Sequence, residues 1–225
     1  MGLPEPPEQG ANARLPAASD GQVAVVTGGG TGLGKGIALE FGRLGATVAI
    51  ASRKAEHRDA GLAALDEIGA KSAAFECDIR NPESVAALFD GIEAQLGLPD
   101  VLVNNAAGNF PVPAEDLSPN GWRTVVDIVL NGTFYCSREF GRRHIAAGTP
   151  GSIVNIGASY AWTGGPGFAH SSAAKAGVKN MTETLAVDGI AVKPLEGGIG
   201  RASALKMLYA GLNKGRFSLF ATIAT

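Results

Sequence analysis

A chain of 225 residues, 45% hydrophobic and 18% charged, is long enough for one packed domain and too apolar for a disordered one. Its formal charge of -2, with no basic block, removes the electrostatic case for nucleic acid and leaves a small molecule as the expected partner. No run reaches the roughly 18 apolar residues of a membrane span, and residues 1–21 lack the apolar stretch of a secretory signal, so a cytoplasmic protein with no membrane partner is expected.

Residues 1–20, MGLPEPPEQGANARLPAASD, are rich in proline and small polar residues that bury too little surface to offset ordering, and read as a disordered tail. From residue 22 short apolar runs alternate with amphipathic ones: QVAVVT, a helix over 33–44, TVAIAS, then a helix ending near 69. The pattern continues with SAAFECD, a helix opened by NPES and running to 95, DVLVNN, a long helical region over 119–147, and GSIVNI. The strands are continuously apolar, as in a parallel sheet covered on both faces, and Ile37, Phe41 and Leu44 share one helical face that would pack on it. The expected fold is therefore α/β, a doubly wound parallel sheet. Residues 21–190 read as its body, and 191–225 as a divergent final segment of the same domain. Cys77, at a strand end, and Cys136, on a helix, read as buried thiols, whereas the widely spaced His57, His144 and His170 read as surface or loop residues that make no metal cluster.

The stretch TGGGTGLGKG follows the first strand and runs into the first helix, the context in which a glycine loop carries chemistry. Gly28, Gly32 and Gly34, with Thr31 and Leu33 between them, leave room for a pyrophosphate to approach backbone N–H groups at the positive end of the helix. At the end of the second strand an acid would take ribose hydroxyls and repel a 2′-phosphate, but the residues there are Ser52, Arg53 and Lys54. Cations with no acid favour NADPH, because a guanidinium and a phosphate form charge-assisted hydrogen bonds. Asp78, followed by Ile79, closes the third strand where an adenine edge would lie.

TGGGTGLG, CDI, NNAAG at 104–108 and SAAKAGV at 172–178 stand in the order and spacing of the short-chain dehydrogenase/reductases, which residues 21–188 resemble. The resemblance implies a Rossmann-type fold and puts Asn104, Ala106 and Gly108 beside the nicotinamide ribose, with Lys175 holding that ribose. Of the four residues that reduce a carbonyl in typical members only Lys175 is present: the asparagine, serine and tyrosine positions hold Val129, Ala158 and Ser171. An aliphatic hydroxyl is a far weaker acid than a phenol, so Ser171 is a poor proton donor and ordinary ketone chemistry is disabled.

NNAAGNF, then DIVLNGTF, then Tyr160 fifteen residues before Lys175, resemble the 2,4-dienoyl-CoA reductase branch. That resemblance implies NADPH-dependent reduction of a conjugated acyl-CoA thioester in the oxidation of unsaturated fatty acids. Tyr160 and Asn109 would stabilise the charge on the thioester oxygen, and Ser171 would be a small polar neighbour at the thioester end. A reductase of singly unsaturated enoyl-CoA thioesters, and an NADPH-binding relative without catalysis, remain as alternatives. Arg138, Arg142 and Arg143 in SREFGRRH read as a solvated helix face before they read as contacts for CoA phosphates. After residue 190 the family's late elements, through which relatives form homotetramers, are not recognisable. Residues 191–225 offer a Gly/Pro-rich loop, a helix over 203–212 and an apolar tail at 217–223, an atypical or truncated end.

Overall fold

The computed structural model of the chain describes residues 17–187; the expected helix at 203–212, the apolar tail at 217–223 and most of the amino-terminal tail lie outside the described residues. Five parallel strands, β1 (Val23–Thr27), β2 (Thr47–Ser52), β3 (Ser72–Glu76), β4 (Val101–Asn104) and β5 (Ser152–Asn155), form one sheet in the order β3-β2-β1-β4-β5. Val25 is paired with Ala49 on one side and Leu102 on the other. The chain winds outward from β1 to β3 and then returns to β4, so a crevice opens between the carboxyl ends of β1 and β4, the usual ligand position in such sheets.

The continuous apolar character of the strands has a direct structural cause. Ala24 and Val26 of β1 face α1 (Gly32–Arg43) and α2 (Ala55–Asp66), packing with Ile37, Phe41, Val48 and Ile50. Val23 and Val25 face the other layer, α3 (Pro82–Leu96) and α5 (Gly132–Ala147), with Phe89, Ile92, Leu102 and Phe140. Both faces are covered, and each fully buried large side chain such as Phe89 contributes on the order of 2–3 kcal/mol. The start of α3 follows from NPES: Asn81 Oδ1 accepts from the Ser84 N–H at 2.8 Å, and Pro82 begins the helix. Cys77 and Cys136 are buried free thiols, as expected.

The helical region over 119–147 is interrupted. It runs as α4 (Pro119–Val126), one π-helical turn (Asp127–Asn131) and α5, with Asn131 Nδ2 donating to Asp127 Oδ1 at 2.8 Å. Val129 lies in that turn and packs with Val125, Ala174 and Val178, the last two on α7 (Ala169–Val187), so apolar packing occupies the position where asparagine stands in typical family members. A four-residue helix, α6 (Tyr160–Thr163), and the 3-10 turn Ala114–Asp116 escaped the periodicity argument because neither is long enough to have a period.

Three local expectations are corrected. Residues 17–20 form a turn in which Ser19 is buried and its N–H donates to the Leu44 carbonyl at 2.9 Å, so order begins before residue 21. His144 is buried because its Nε2 donates to the Pro99 carbonyl at 2.8 Å, tying the last turn of α5 to the entry of β4; His170 is buried under the Phe110 ring, with centroids 4.7 Å apart. Arg138 and Arg142 are exposed, but the Arg143 guanidinium pairs with Glu139 on its own helix and with Asp90 and Glu93, which join α3 to α5.

Candidate active site

The glycine loop is assembled by contacts with β2 and β4. Gly28 has φ +67°, which glycine adopts without strain, and its N–H donates to the Ala51 carbonyl at 2.8 Å. At Gly34 a Cβ would stand 2.3 Å from the Gly28 carbonyl oxygen and 2.4 Å from Asn105 Nδ2, so the helix start closes on the loop only because nothing is there. Thr31 caps α1 without a side-chain hydrogen bond, and the first turn carries no acid, so its N–H groups remain for an anion. Gly32 adjoins open space, and Leu33 packs below against the β1–β2 core. These features fit a dinucleotide pyrophosphate. Thr27, absent from the sequence argument, fastens the facing loop: its Oγ1 accepts from the N–H groups of Asn105 and Ala106, each at 3.0 Å, while Asn105 Nδ2 donates to the Thr27 carbonyl at 2.9 Å.

At the end of β2, Arg53 is half exposed and its guanidinium lies 3.8 Å from Asp78, while exposed Lys54 pairs with Glu56 at 3.1 Å. Arg80 grips Asp78 with two nitrogens, Nε to Oδ1 at 2.9 Å and Nη2 to Oδ2 at 2.5 Å, and this hydrogen bonding holds the Asp78 carboxyl below the usual range. Arg58, also unremarked in the sequence, donates to the carbonyls of Ser52 and Arg53. Ile79 points into the core, where a Cβ on Gly132 would meet its Cδ1 at 2.7 Å.

Asn104 does not present its side chain to the crevice. Its Nδ2 donates to Ser137 Oγ at 3.0 Å and Asn155 Oδ1 at 2.8 Å, and Asn155 Nδ2 donates to Thr182 Oγ1 at 2.8 Å, a polar chain through α5, β4, β5 and α7. Gly108 packs against the π turn, where a Cβ would stand 3.0 Å from Ile128 Cδ1.

On the far side of the crevice the Tyr160 hydroxyl lies 3.0 Å from Ser171 Oγ. The Tyr160 ring stacks on Phe168, centroids 5.7 Å apart and planes 11° apart, and Ser171 is buried. One turn along α7, buried Lys175 donates from Nζ to the Ile156 carbonyl just past β5, and desolvation lowers its pKa to about 8. Asn109 is exposed; its Oδ1 accepts from the Phe110 N–H at 2.9 Å, which leaves its amide NH2 to donate. The Asn109 loop is fastened to the approach to α7 by Val112 N–H donating to the Gly167 carbonyl at 3.0 Å and by the Phe110–His170 contact. The segments that carry Asn109, Tyr160, Ser171 and Lys175 are thus joined to one another by the Val112–Gly167 hydrogen bond, the Phe110–His170 contact and the Tyr160–Ser171 pair.

The profile of the family described as short chain dehydrogenase matches residues 22–193. The chain belongs to the short-chain dehydrogenase family. A Caenorhabditis elegans protein named as a probable 2,4-dienoyl-CoA reductase, (3E)-enoyl-CoA-producing, is 46% identical over 170 residues, covering 75% of this chain and 55% of that protein. A peroxisomal 2,4-dienoyl-CoA reductase of Arabidopsis thaliana is 40% identical over 199 residues, covering 80% and 66% respectively. The crystal structure of a Bacillus anthracis short chain dehydrogenase superposes with a TM-score of 0.74 at 46% identity, over 76% of this chain and 71% of the other. This short-chain dehydrogenase thus spans between about half and two thirds of the length of those two curated relatives. Among its described residues no helix is long and apolar enough to cross a membrane, and no group of ligating side chains could hold a metal ion.

Proposed function

We propose that this short-chain dehydrogenase reduces 2,4-dienoyl-CoA thioesters with NADPH. The observation that carries the reading is the Tyr160–Ser171 pair one turn from Lys175, beside a loop that presents Asn109, in a family whose usual phenol position is filled by serine. Dienoyl-CoA reductases among the relatives support the substrate class, and Arg53 with Lys54 supports the phosphorylated cofactor. Residues 28, 31, 32, 34, 52–54, 78, 106, 108 and 175 would form the cofactor's side of the crevice, with Leu33, Ile79 and Asn104, whose side chains turn away from it, offering backbone only, and bound NADPH would supply the hydride.

The remaining chemistry belongs to the side chains. Either hydroxyl can donate in the Tyr160–Ser171 pair, and when Ser171 donates, the Tyr160 hydrogen is left for a substrate oxygen. This is the use of the aliphatic hydroxyl. The thioester oxygen then receives the Tyr160 hydroxyl and the Asn109 amide. As hydride arrives at the far carbon of the diene, the electron pairs shift toward that oxygen, and donors already in place stabilise the dienolate, each by on the order of 3 kcal/mol. A proton from water then reaches carbon and gives the enoyl-CoA. Below pH about 8 Lys175 is charged and suited to hold the nicotinamide ribose hydroxyls. NADPH deuterated at the transferred position tests the path. Label at the far diene carbon of the product is expected, and label at the thioester end or in no product would overturn the reading.

A further inference from the structure

We infer that Arg58 is a positioning residue for cofactor choice, fixing the backbone from which Arg53 and Lys54 meet a 2′-phosphate; the inference rests on the NADPH reading above. Arg58 lies on the first turn of α2, and its side chain is 17% exposed although it carries a full charge. Its Nη1 donates to the Ser52 carbonyl at 2.8 Å and the Arg53 carbonyl at 3.0 Å, and its Nη2 to Glu76 Oε2 at 3.0 Å. One planar fork therefore binds the last residue of β2, the residue after it and the last residue of β3.

The same helical turn also touches the glycine loop. A Cβ on Gly30 would lie 1.9 Å from the His57 carbonyl oxygen, and a Cβ on Gly61 would lie 2.9 Å from Gly30 Cα. So α2 sets the separation between the loop that would take the pyrophosphate and the two residues that would take the 2′-phosphate. Arg53 and Lys54 have half-exposed side chains with only a 3.8 Å and a 3.1 Å ion pair to hold them, so their aim comes from their backbone, and Arg58 holds that backbone. Arg80 already satisfies Asp78 with two nitrogens, which leaves the Arg53 guanidinium to turn to a phosphate.

The test measures dissociation constants for NADPH and NADH by nicotinamide fluorescence, on the full chain and without substrate, for the wild type, Arg58→Met, Arg58→Lys and Arg53→Met. The wild type is expected to favour NADPH by tenfold or more. Arg58→Met should lose about tenfold in NADPH affinity with NADH affinity held within about twofold, and Arg58→Lys should recover part of the loss. A preference abolished by Arg53→Met but kept in Arg58→Met would overturn the inference and leave the NADPH reading standing. Equal loss of both cofactors in both Arg58 variants would make Arg58 a support of the fold and overturn the inference. Equal binding of NADH and NADPH by the wild type would overturn the NADPH reading and the inference with it.

Discussion

Tyr160→Phe keeps the ring that stacks on Phe168 and deletes the hydroxyl 3.0 Å from Ser171 Oγ. Two costs follow, and their sizes separate them. Ser171 is 1% exposed, so its hydroxyl loses a partner that water does not readily replace, costing about 1 kcal/mol of stability. Against a typical domain stability of roughly 5–15 kcal/mol, that leaves the protein folded. Loss of one oxyanion donor removes on the order of 3 kcal/mol of transition-state stabilisation, which is about a hundredfold in kcat. Ser171→Ala retains the partly buried phenol and removes only its hydroxyl partner, so about tenfold in kcat is expected from its lost orientation. Thermal melting followed by turnover of a 2,4-dienoyl-CoA with NADPH reads both costs. Wild-type kcat in Tyr160→Phe, or a greater loss in Ser171→Ala than in Tyr160→Phe, would refute the assignment of the phenol as donor and the serine as its orienter.

Gly34→Ala drives a methyl into the Gly28 carbonyl and Asn105, and is expected to cost about 2 kcal/mol or more and to weaken NADPH binding; Gly36→Ala, with no atom within 4 Å of its Cβ, should be neutral or stabilising in the same melts. Equal stability of the two variants would contradict the closed loop. Burial lowers the pKa of Lys175 from 10.5 to about 8. Between those values the unfolded chain binds the proton that the folded chain has released, so this group alone makes stability rise from pH 8 toward 10.5, by up to about 3 kcal/mol. Below pH 8 both states hold the proton and the desolvation cost stays constant. Unfolding melts of wild type and Lys175→Met across pH 7–10 check the sign: the wild type should gain stability relative to the variant as pH rises, and parallel profiles would exclude the shift.

What the sequence disclosed and what it withheld divide along physical lines. The sheet was readable because strands buried on both faces are apolar at every position, as in VAVVT of β1, and because glycines between a strand and a helix punctuate the chain. The start of α3 was readable because a cap and a proline are local signals. The polar chain from Ser137 to Thr182 was hidden, since its members meet only when β4 and β5 pair in register, Asn104 beside Asn155. Arg58 looked like one more charge on an amphipathic helix, for nothing local says that its fork ends on the carbonyls of β2. His170 was misread for a similar reason: the Phe110 ring that covers it comes from a loop sixty residues earlier. Tyr160 and Asn109 were singled out by family pattern alone, and the Val112–Gly167 hydrogen bond that joins the Asn109 loop to the approach to α7 has no local signal in the sequence.

The most direct measurement is NADPH oxidation by the purified full chain with a short 2,4-dienoyl-CoA, run beside the matching 2-enoyl-CoA. Turnover of the diene with little or none of the monoene is the predicted result. Equal turnover of both, or none of either from protein that melts cooperatively, would contradict the account.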